Sequence, residues 1–137
     1  MASTNNTVID SGIITATFTD LDGNVFSKFR INPTDIRTGE RAIASAEFFQ
    51  TIKAESFDVD TVGQLQKDIE DKISYILGYD SSKDIFGEVS ALTVLPDGRF
   101  FVEIIVDKIM EIVQPAVKAR QEAMAKRADK YTKKYEE

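Results

Sequence analysis

The fold class follows from residues 13–31, which read IITATFTDLDGNVFSKFRI. Residues 13–19 and 25–31 are rich in β-branched and aromatic side chains, which are typical of strands. Between them, residues 20–24 supply the Asp, Gly and Asn that tolerate a positive φ in a tight turn. The pattern therefore predicts a β-hairpin. Alternation in its second strand puts Phe26, Lys28 and Arg30 on one side, and Val25, Phe29 and Ile31 mostly on the other.

Helical signals follow the hairpin. Asn32-Pro33 predicts a turn or a short helix, and a helix restarting near Thr38 is expected to run to about Glu55. A second helix is predicted from Thr61, because apolar residues recur at spacings of three and four, and Gly78 is placed to end it.

The next segment is less regular. Ser81 or Ser82 can cap a short helical turn, and Pro96-Asp97-Gly98 predicts a turn. Residues 88–95 form a short apolar run that fits a strand or a helix, and the sequence does not decide between them.

A long helix is predicted over the last third of the chain. An apolar face runs from Phe101 to Val117, and Pro115 is expected to kink or interrupt the helix near Glu111. The remainder contains strong helix formers and no Gly or Pro. Four apolar or aromatic residues keep a 4-3-4 spacing to the end: Met124, Ala128, Tyr131 and Tyr135.

These elements predict an α+β fold in which an N-terminal β-hairpin packs on a small helical bundle and a long C-terminal helix extends from the body. Residues 1–117 form the expected compact body, with residues 1–10 disordered. Residues 118–137 form a basic helical extension, which is not a separate domain.

Composition excludes most catalytic chemistry. The chain has 137 residues and a net charge of −6, with no His, no Cys and no Trp. Disulfides, Cys/His zinc sites, thiol nucleophiles and Ser-His or Cys-His pairs are therefore absent. We predict that the protein is not an enzyme, and we predict no catalytic, cofactor-binding or metal-binding residue. A polar N-terminus and short apolar runs predict a cytoplasmic protein without a membrane partner.

Carboxylates offer the remaining chemistry. The segment Asp20–Asn24 is similar to part of a calcium loop, but strands flank it and the twelfth position is Ile31, so a turn is the better interpretation. Asp58 with Asp60, Asp68 with Glu70 or Asp71, and Asp80 with Asp84 lie beside no Gly-rich phosphate loop. We interpret these acidic pairs as solvated helix faces.

Charge is unevenly distributed along the chain. Residues 1–117 carry 10 basic and 19 acidic side chains, a balance of −9, whereas residues 118–137 carry 7 basic and 4 acidic ones, a balance of +3. The basic extension could contact nucleic acid, but the acidic body would repel phosphates, and the basic side chains also suit the negative end of a helix dipole. Nucleic acid is therefore not an expected partner.

The extension is the candidate partner-binding surface. A helix with tyrosines four residues apart among cations could lie in a groove of a partner protein. Packing onto its own body, or a frayed solvated end, remains an equal alternative at this point. The candidate residues are Met124, Arg127, Ala128, Lys130, Tyr131, Lys134 and Tyr135.

The order of parts resembles the tail assembly chaperone-type proteins of phages and prophages of Gram-positive bacteria. The resemblance spans nearly the whole chain, in pattern and size rather than in an invariant motif. It is carried by the hairpin, the Asn32-Pro33 turn, Ile85-Phe86-Gly87, Pro96-Asp97-Gly98, the helix containing Gln114-Pro115, and the basic ending Lys130-Tyr131-Thr132-Lys133-Lys134-Tyr135.

The resemblance implies a non-enzymatic role in tail morphogenesis. Such chaperones bind the hydrophobic helices of the tape measure protein, keep them soluble and help to recruit tube subunits in the host cytoplasm. The expected partner is the tape measure or the tail tube protein, and a homo-oligomer is also compatible with the pattern. Two alternatives stay open: a minor structural tail or connector subunit that oligomerises, and a phage-encoded inhibitor of a host protein.

Overall fold

The computed structural model describes residues 5–52 and 58–135, with the side chains of residues 131 and 133–135 outside the described part. It confirms the predicted α+β class, with an N-terminal hairpin, several helices and a long C-terminal helix. Residues 5–10 are exposed and belong to no helix or strand; residues 1–4, the rest of the predicted disordered lead-in, lie outside the described residues. The elements are β1 (Ile14–Thr19), β2 (Val25–Ile31), α1 (Ile36–Gln50), α2 (Val62–Leu77), α3 (Ser82–Phe86) and α4 (Phe101–Tyr135).

The predicted hairpin is present as an antiparallel pair, with Ile14 opposite Ile31. At its turn, the Asp20 carboxylate accepts the backbone N–H groups of Asp22 and Asn24, each at 2.9 Å, so Asp20 serves as a turn residue. This confirms the interpretation of residues 20–24 as a turn.

One residue of β2 lies on the side opposite to the predicted one. The ladder shifts register between Phe18 and Thr19, which leaves Phe26 without a partner and makes it a bulge. Phe26 therefore turns inward, with its ring centroid 5.7 Å from that of Phe101, while Val25 is exposed. The strict alternation predicted for Phe26 and Val25 was wrong for this reason.

Helix α1 begins earlier than predicted. The Asp35 carboxylate accepts the N–H of Arg37 at 2.9 Å and caps the helix, so α1 starts at Ile36 rather than near Thr38. Asn32 holds the preceding turn through its side chain, which accepts the N–H of Thr34 at 3.2 Å. The structure places the end of α1 at Gln50; the predicted continuation to Glu55 enters residues outside the described part.

Helices α2 and α3 follow the sequence pattern closely. Thr61 precedes α2, and Gly78 ends it with a φ of 83°, a left-handed conformation that favours glycine. Ser81 is the cap residue of α3, as predicted, although its hydroxyl pairs with that of Ser74 at 3.1 Å instead of capping the helix. The hydroxyl of Ser27 donates to the Ile85 carbonyl at 2.9 Å and ties α3 to β2.

Residues 88–95 are neither a strand nor a helix. Their carbonyl groups instead accept hydrogen bonds from the start of α4: Ala91 from the Val102 N–H at 3.0 Å, and Thr93 from the Phe101 N–H at 2.9 Å. The Glu103 carboxylate accepts the N–H of Phe100 at 2.6 Å. The first N–H groups of α4, which have no partners within the helix, are therefore satisfied by carbonyl groups of the preceding segment.

Helix α4 continues through Pro115, so of the two predicted outcomes, a kink or an interruption near Glu111, the interruption does not occur. Proline removes only the hydrogen bond to the residue 111 carbonyl. Both Pro115 and Glu111 are exposed, so water can reach that carbonyl and the cost to the helix is small.

The core lies where the hairpin meets α4. The Phe101 ring lies within aromatic contact of Phe18 at 6.3 Å and of Phe86 at 5.9 Å between centroids, both edge to face. Along α4, the predicted apolar face is buried at Ile105, Ile109 and Val113. Isoleucines 69, 73 and 76 bring α2 into the same core.

Candidate protein-binding surface

A groove opens between α1 and α4. Its cavity volume is about 470 Å³. Small side chains on α1 create it, because alanines at two successive turns leave space that larger residues would fill. We call this the α1/α4 groove and define it by Ala42, Ala46, Phe49, Ile76, Val106 and Met110.

The two helices meet closely to one side of the groove. A Cβ atom placed on the buried Gly39 would lie 3.4 Å from Cγ2 of Val117, so α1 and α4 are in direct contact there. From that contact, the groove extends along α4 between Met110 and Val102. These nine positions correspond to about 12 Å of helix, or a little over two turns.

The rim of the groove on α4 is acidic. Glu103 and Asp107 line the groove beside its apolar residues, and both are exposed. Arg99 lies at the outer end, where its guanidinium is 2.7 Å from the Asp97 carboxylate and 3.9 Å from that of Asp107. Hydrogen bonds from Arg99 lower the pKa of the Asp97 carboxyl. Glu103, Asp107 and Asp97 outnumber Arg99, so this side of the groove keeps a net negative charge next to an apolar floor.

Beyond the body, α4 continues as an exposed helix. Where it leaves the body, the Arg120 guanidinium donates to the Thr34 carbonyl. Residues 121–130 are all exposed, and Met124 retains 65% of its accessible surface. The fifteen helical residues after Arg120 correspond to about 22 Å of projecting helix.

The predicted partner-binding residues all lie on this part of α4. Met124, Arg127, Ala128 and Lys130 are exposed, so these side chains do not pack onto the body, which was one of the two alternatives that the sequence left open. Tyr131, Lys134 and Tyr135 belong to the helix, and their side chains lie outside the described residues. The Thr132 hydroxyl donates to the Ala128 carbonyl at 3.0 Å.

Sequence reasoning missed the groove. Ala42, Ala46 and Phe49 are spaced by four and three residues, so they share one face of α1, and that face turns toward α4. The small residues of this face are the only signal of a groove in the sequence. They do not decide the matter, because an alanine facing another helix can be closely packed or can leave a groove, depending on which side chains lie opposite it.

Carboxylate clusters elsewhere offer no metal site in the described part of the chain, where no group of three or more acidic side chains could hold an ion. On α2, Glu70 has acidic neighbours. Partial burial is the largest cause that raises the pKa of Glu70, and the negative charges of Asp71 and Asp80 raise it further.

None of the helices that the structure describes is long and apolar enough to cross a membrane. Comparisons with protein-family models, with curated protein sequences and with solved structures found no match to this chain.

Proposed function

We propose that this protein is a non-enzymatic assembly chaperone that binds an apolar helix of a partner protein in the α1/α4 groove. The observation that carries the proposal is the groove itself: an apolar floor about two turns long beside an acidic rim. An amphipathic helix fits such a site with side chains at positions i, i+3 or i+4, and i+7. Basic residues flanking that stripe would face Glu103 and Asp107.

The partner that we propose is the tape measure protein of a phage tail, within the host cytoplasm. The resemblance to tail assembly chaperones supports this choice, because the tape measure is a long protein of hydrophobic helices. The exposed helix that carries Met124 and Lys130 adds a second, basic contact surface beyond the groove. A tail tube subunit is the partner that we propose for that helix.

Co-expression tests the proposal. The tape measure protein from the same genome is produced alone, with this protein, and with two tryptophan variants. Ala46→Trp fills the groove, whereas Ala44→Trp lies two residues away on the exposed side of the same helix. We expect the wild type and Ala44→Trp to raise the soluble fraction of the tape measure, and Ala46→Trp to fail.

Circular dichroism must show that both variants are folded before the comparison is made. A tape measure that is equally insoluble with and without this protein would refute the chaperone function. Equal rescue by both folded variants would refute the groove as its binding site.

A second candidate is a minor structural tail subunit, which the projecting C-terminal helix favours because it provides a surface for contacts between subunits. Mass spectrometry of purified virions separates the two functions. A chaperone is absent from the finished particle, whereas a structural subunit is present in it.

A further inference from the structure

Strand β1 has an outer edge whose backbone groups point away from β2. The N–H of Arg30 donates to the Tyr79 hydroxyl at 2.9 Å, and so it points away from β1. Thr15 is opposite Arg30 in the ladder, and Thr17 is opposite Lys28, two residues along. Thr15/Arg30 and Thr17/Lys28 are therefore non-hydrogen-bonded pairs of the ladder, in which the N–H and C=O groups of both residues point away from the partner strand. The backbone groups of Thr15 and Thr17 therefore form the outer edge of β1.

Nothing in the described part of the chain covers this edge. No backbone or side-chain hydrogen bond from outside the hairpin reaches Thr15 or Thr17 there, and both side chains are exposed. Residues 11–19 also contain no charged residue and no proline. Charged side chains and prolines are the usual protection of an exposed edge, and this edge has neither.

The opposite edge of the hairpin is partly occupied. On β2, the N–H of Arg30 at this edge donates to the Tyr79 hydroxyl. The side-chain hydroxyl of Ser27 also donates to the Ile85 carbonyl, which holds α3 against β2. Of the two edges, that of β1 is the one without such contacts in the described part of the chain.

We propose that β1 pairs antiparallel with β1 of a second copy of this chain, forming a four-stranded sheet across a two-fold axis at Ala16. This register places Thr15 opposite Thr17 of the second copy, as hydrogen-bonded pairs. On the core side, it brings Ile14, which is 42% exposed, next to Phe18 of the second copy.

A second copy fits this edge for three reasons. The segment carries no charge, so pairing it with itself places no like charges opposite each other. The basic side chains on the outer face, Lys28 and Arg30, would be about 14 Å from those of the second copy across three strand spacings, beyond the screening length of about 8 Å in physiological salt. Two copies also satisfy two free edges at once. The pairing is independent of the α1/α4 groove and of the proposed function.

Molar mass measured by light scattering across the micromolar to millimolar range tests the pairing. We expect a dimer for the wild type and for Thr17→Val, which keeps the N–H group and the β-branched shape. Thr17→Pro removes only an N–H that points away from β2, so it should leave a folded monomer. A wild type that stays monomeric, or a Thr17→Pro variant that remains dimeric, overturns the proposal.

Cross-linking provides a second test that does not depend on the folding of the proline variant. The chain has no cysteine of its own. In a Thr15→Cys/Thr17→Cys variant, the paired Cα atoms would be about 5.5 Å apart, within the range for a disulfide. We expect a covalent dimer on oxidation. Lys28→Cys/Arg30→Cys, with the same spacing on β2, should stay monomeric on a denaturing gel. Covalent dimers in neither variant, or equally in both, overturn the β1 pairing.

Discussion

Gly39 of α1 faces Val117 of α4 so closely that a Cβ atom on residue 39 would lie 3.4 Å from Val117 Cγ2. This distance is ordinary van der Waals contact, so a methyl group fits there and a longer side chain does not. One turn further along α4, Arg120 bonds to the Thr34 carbonyl. The two contacts together hold α1 against α4 at the point where α4 leaves the body.

We expect Gly39→Ala to stabilise the protein by about 0.5–1 kcal/mol, because alanine favours the helical backbone and its methyl group fits against Val117. Gly39→Leu should instead cost about 1–3 kcal/mol, because the larger side chain forces α1 and α4 apart. Urea denaturation measures both changes. A destabilised alanine variant would contradict the fit of this methyl group against Val117.

The core of α4 can be tested at Ile105, which is completely buried. We expect Ile105→Ala to lower the free energy of unfolding by about 2–5 kcal/mol, from lost apolar burial and the cavity that remains. Ile43 on α1 is the matched control, since it is 71% exposed. Ile43→Ala should change stability by less than about 0.5 kcal/mol. Similar losses at the two positions would contradict the assigned faces.

The groove can be tested without a partner, because the chain contains no tryptophan. Ala46→Trp and Ala44→Trp each introduce a single indole. We expect the emission maximum of Ala46→Trp to lie at shorter wavelength and its quenching by acrylamide to be weaker, because the indole enters the α1/α4 groove. Indistinguishable spectra from the two folded variants would mean that the groove is closed in solution.

The raised pKa of Glu70 predicts a pH-dependent effect on stability. Burial and the charges of Asp71 and Asp80 favour the protonated form in the folded state. The ionised carboxylate therefore destabilises the fold, and this penalty appears as the pH rises from the unfolded value of 4.5 through the raised folded pKa. We expect Glu70→Gln to raise Tm at neutral pH and to have no effect below the unfolded value.

Glu40→Gln on the exposed side of α1 is the control for this charge removal. Thermal melts of both variants at neutral and acidic pH give the comparison. A Glu70→Gln variant that melts below the wild type at neutral pH would contradict the sign of the predicted effect.

Local patterns predicted the hairpin and α2 because their signals are local. The turn at residues 20–24 is closed by the side chain of Asp20, two and four positions from its partners. Gly78 ends α2 through its own backbone conformation. Such interactions join neighbours in the sequence, so a window of a few residues contains the information.

The conformation of residues 88–95 could not be predicted from a periodic pattern, because the hydrogen bonds that hold this segment go to residues further along the chain. The carbonyls of Ala91 and Thr93 bond to the start of α4, eleven and eight residues later, only once the intervening turn has folded back. The α1/α4 groove was missed for a similar reason, since its depth depends on which side chains of α4 lie opposite Ala42 and Ala46. The basic extension was predicted as a helix, and only its exposure had to come from the structure.

Deletion of residues 119–137 should leave the body folded, because residues 121–130 are exposed and the buried core of α4, in the described part of the chain, ends at Val113. We expect a single cooperative thermal transition, with Tm lowered by no more than a few degrees through loss of the Arg120 bond. A broad, non-cooperative transition would contradict the division into a body and an extension.

Because one unbroken helix joins the core to the extension, the direction in which Met124 and Lys130 point is set by the packing of Phe101, more than twenty residues away. Each residue of an α-helix turns by about 100°, so one residue inserted after Val117 would rotate the whole projecting surface by that angle while leaving its composition unchanged. Helical phase, as much as charge, determines which way this surface is presented to a partner.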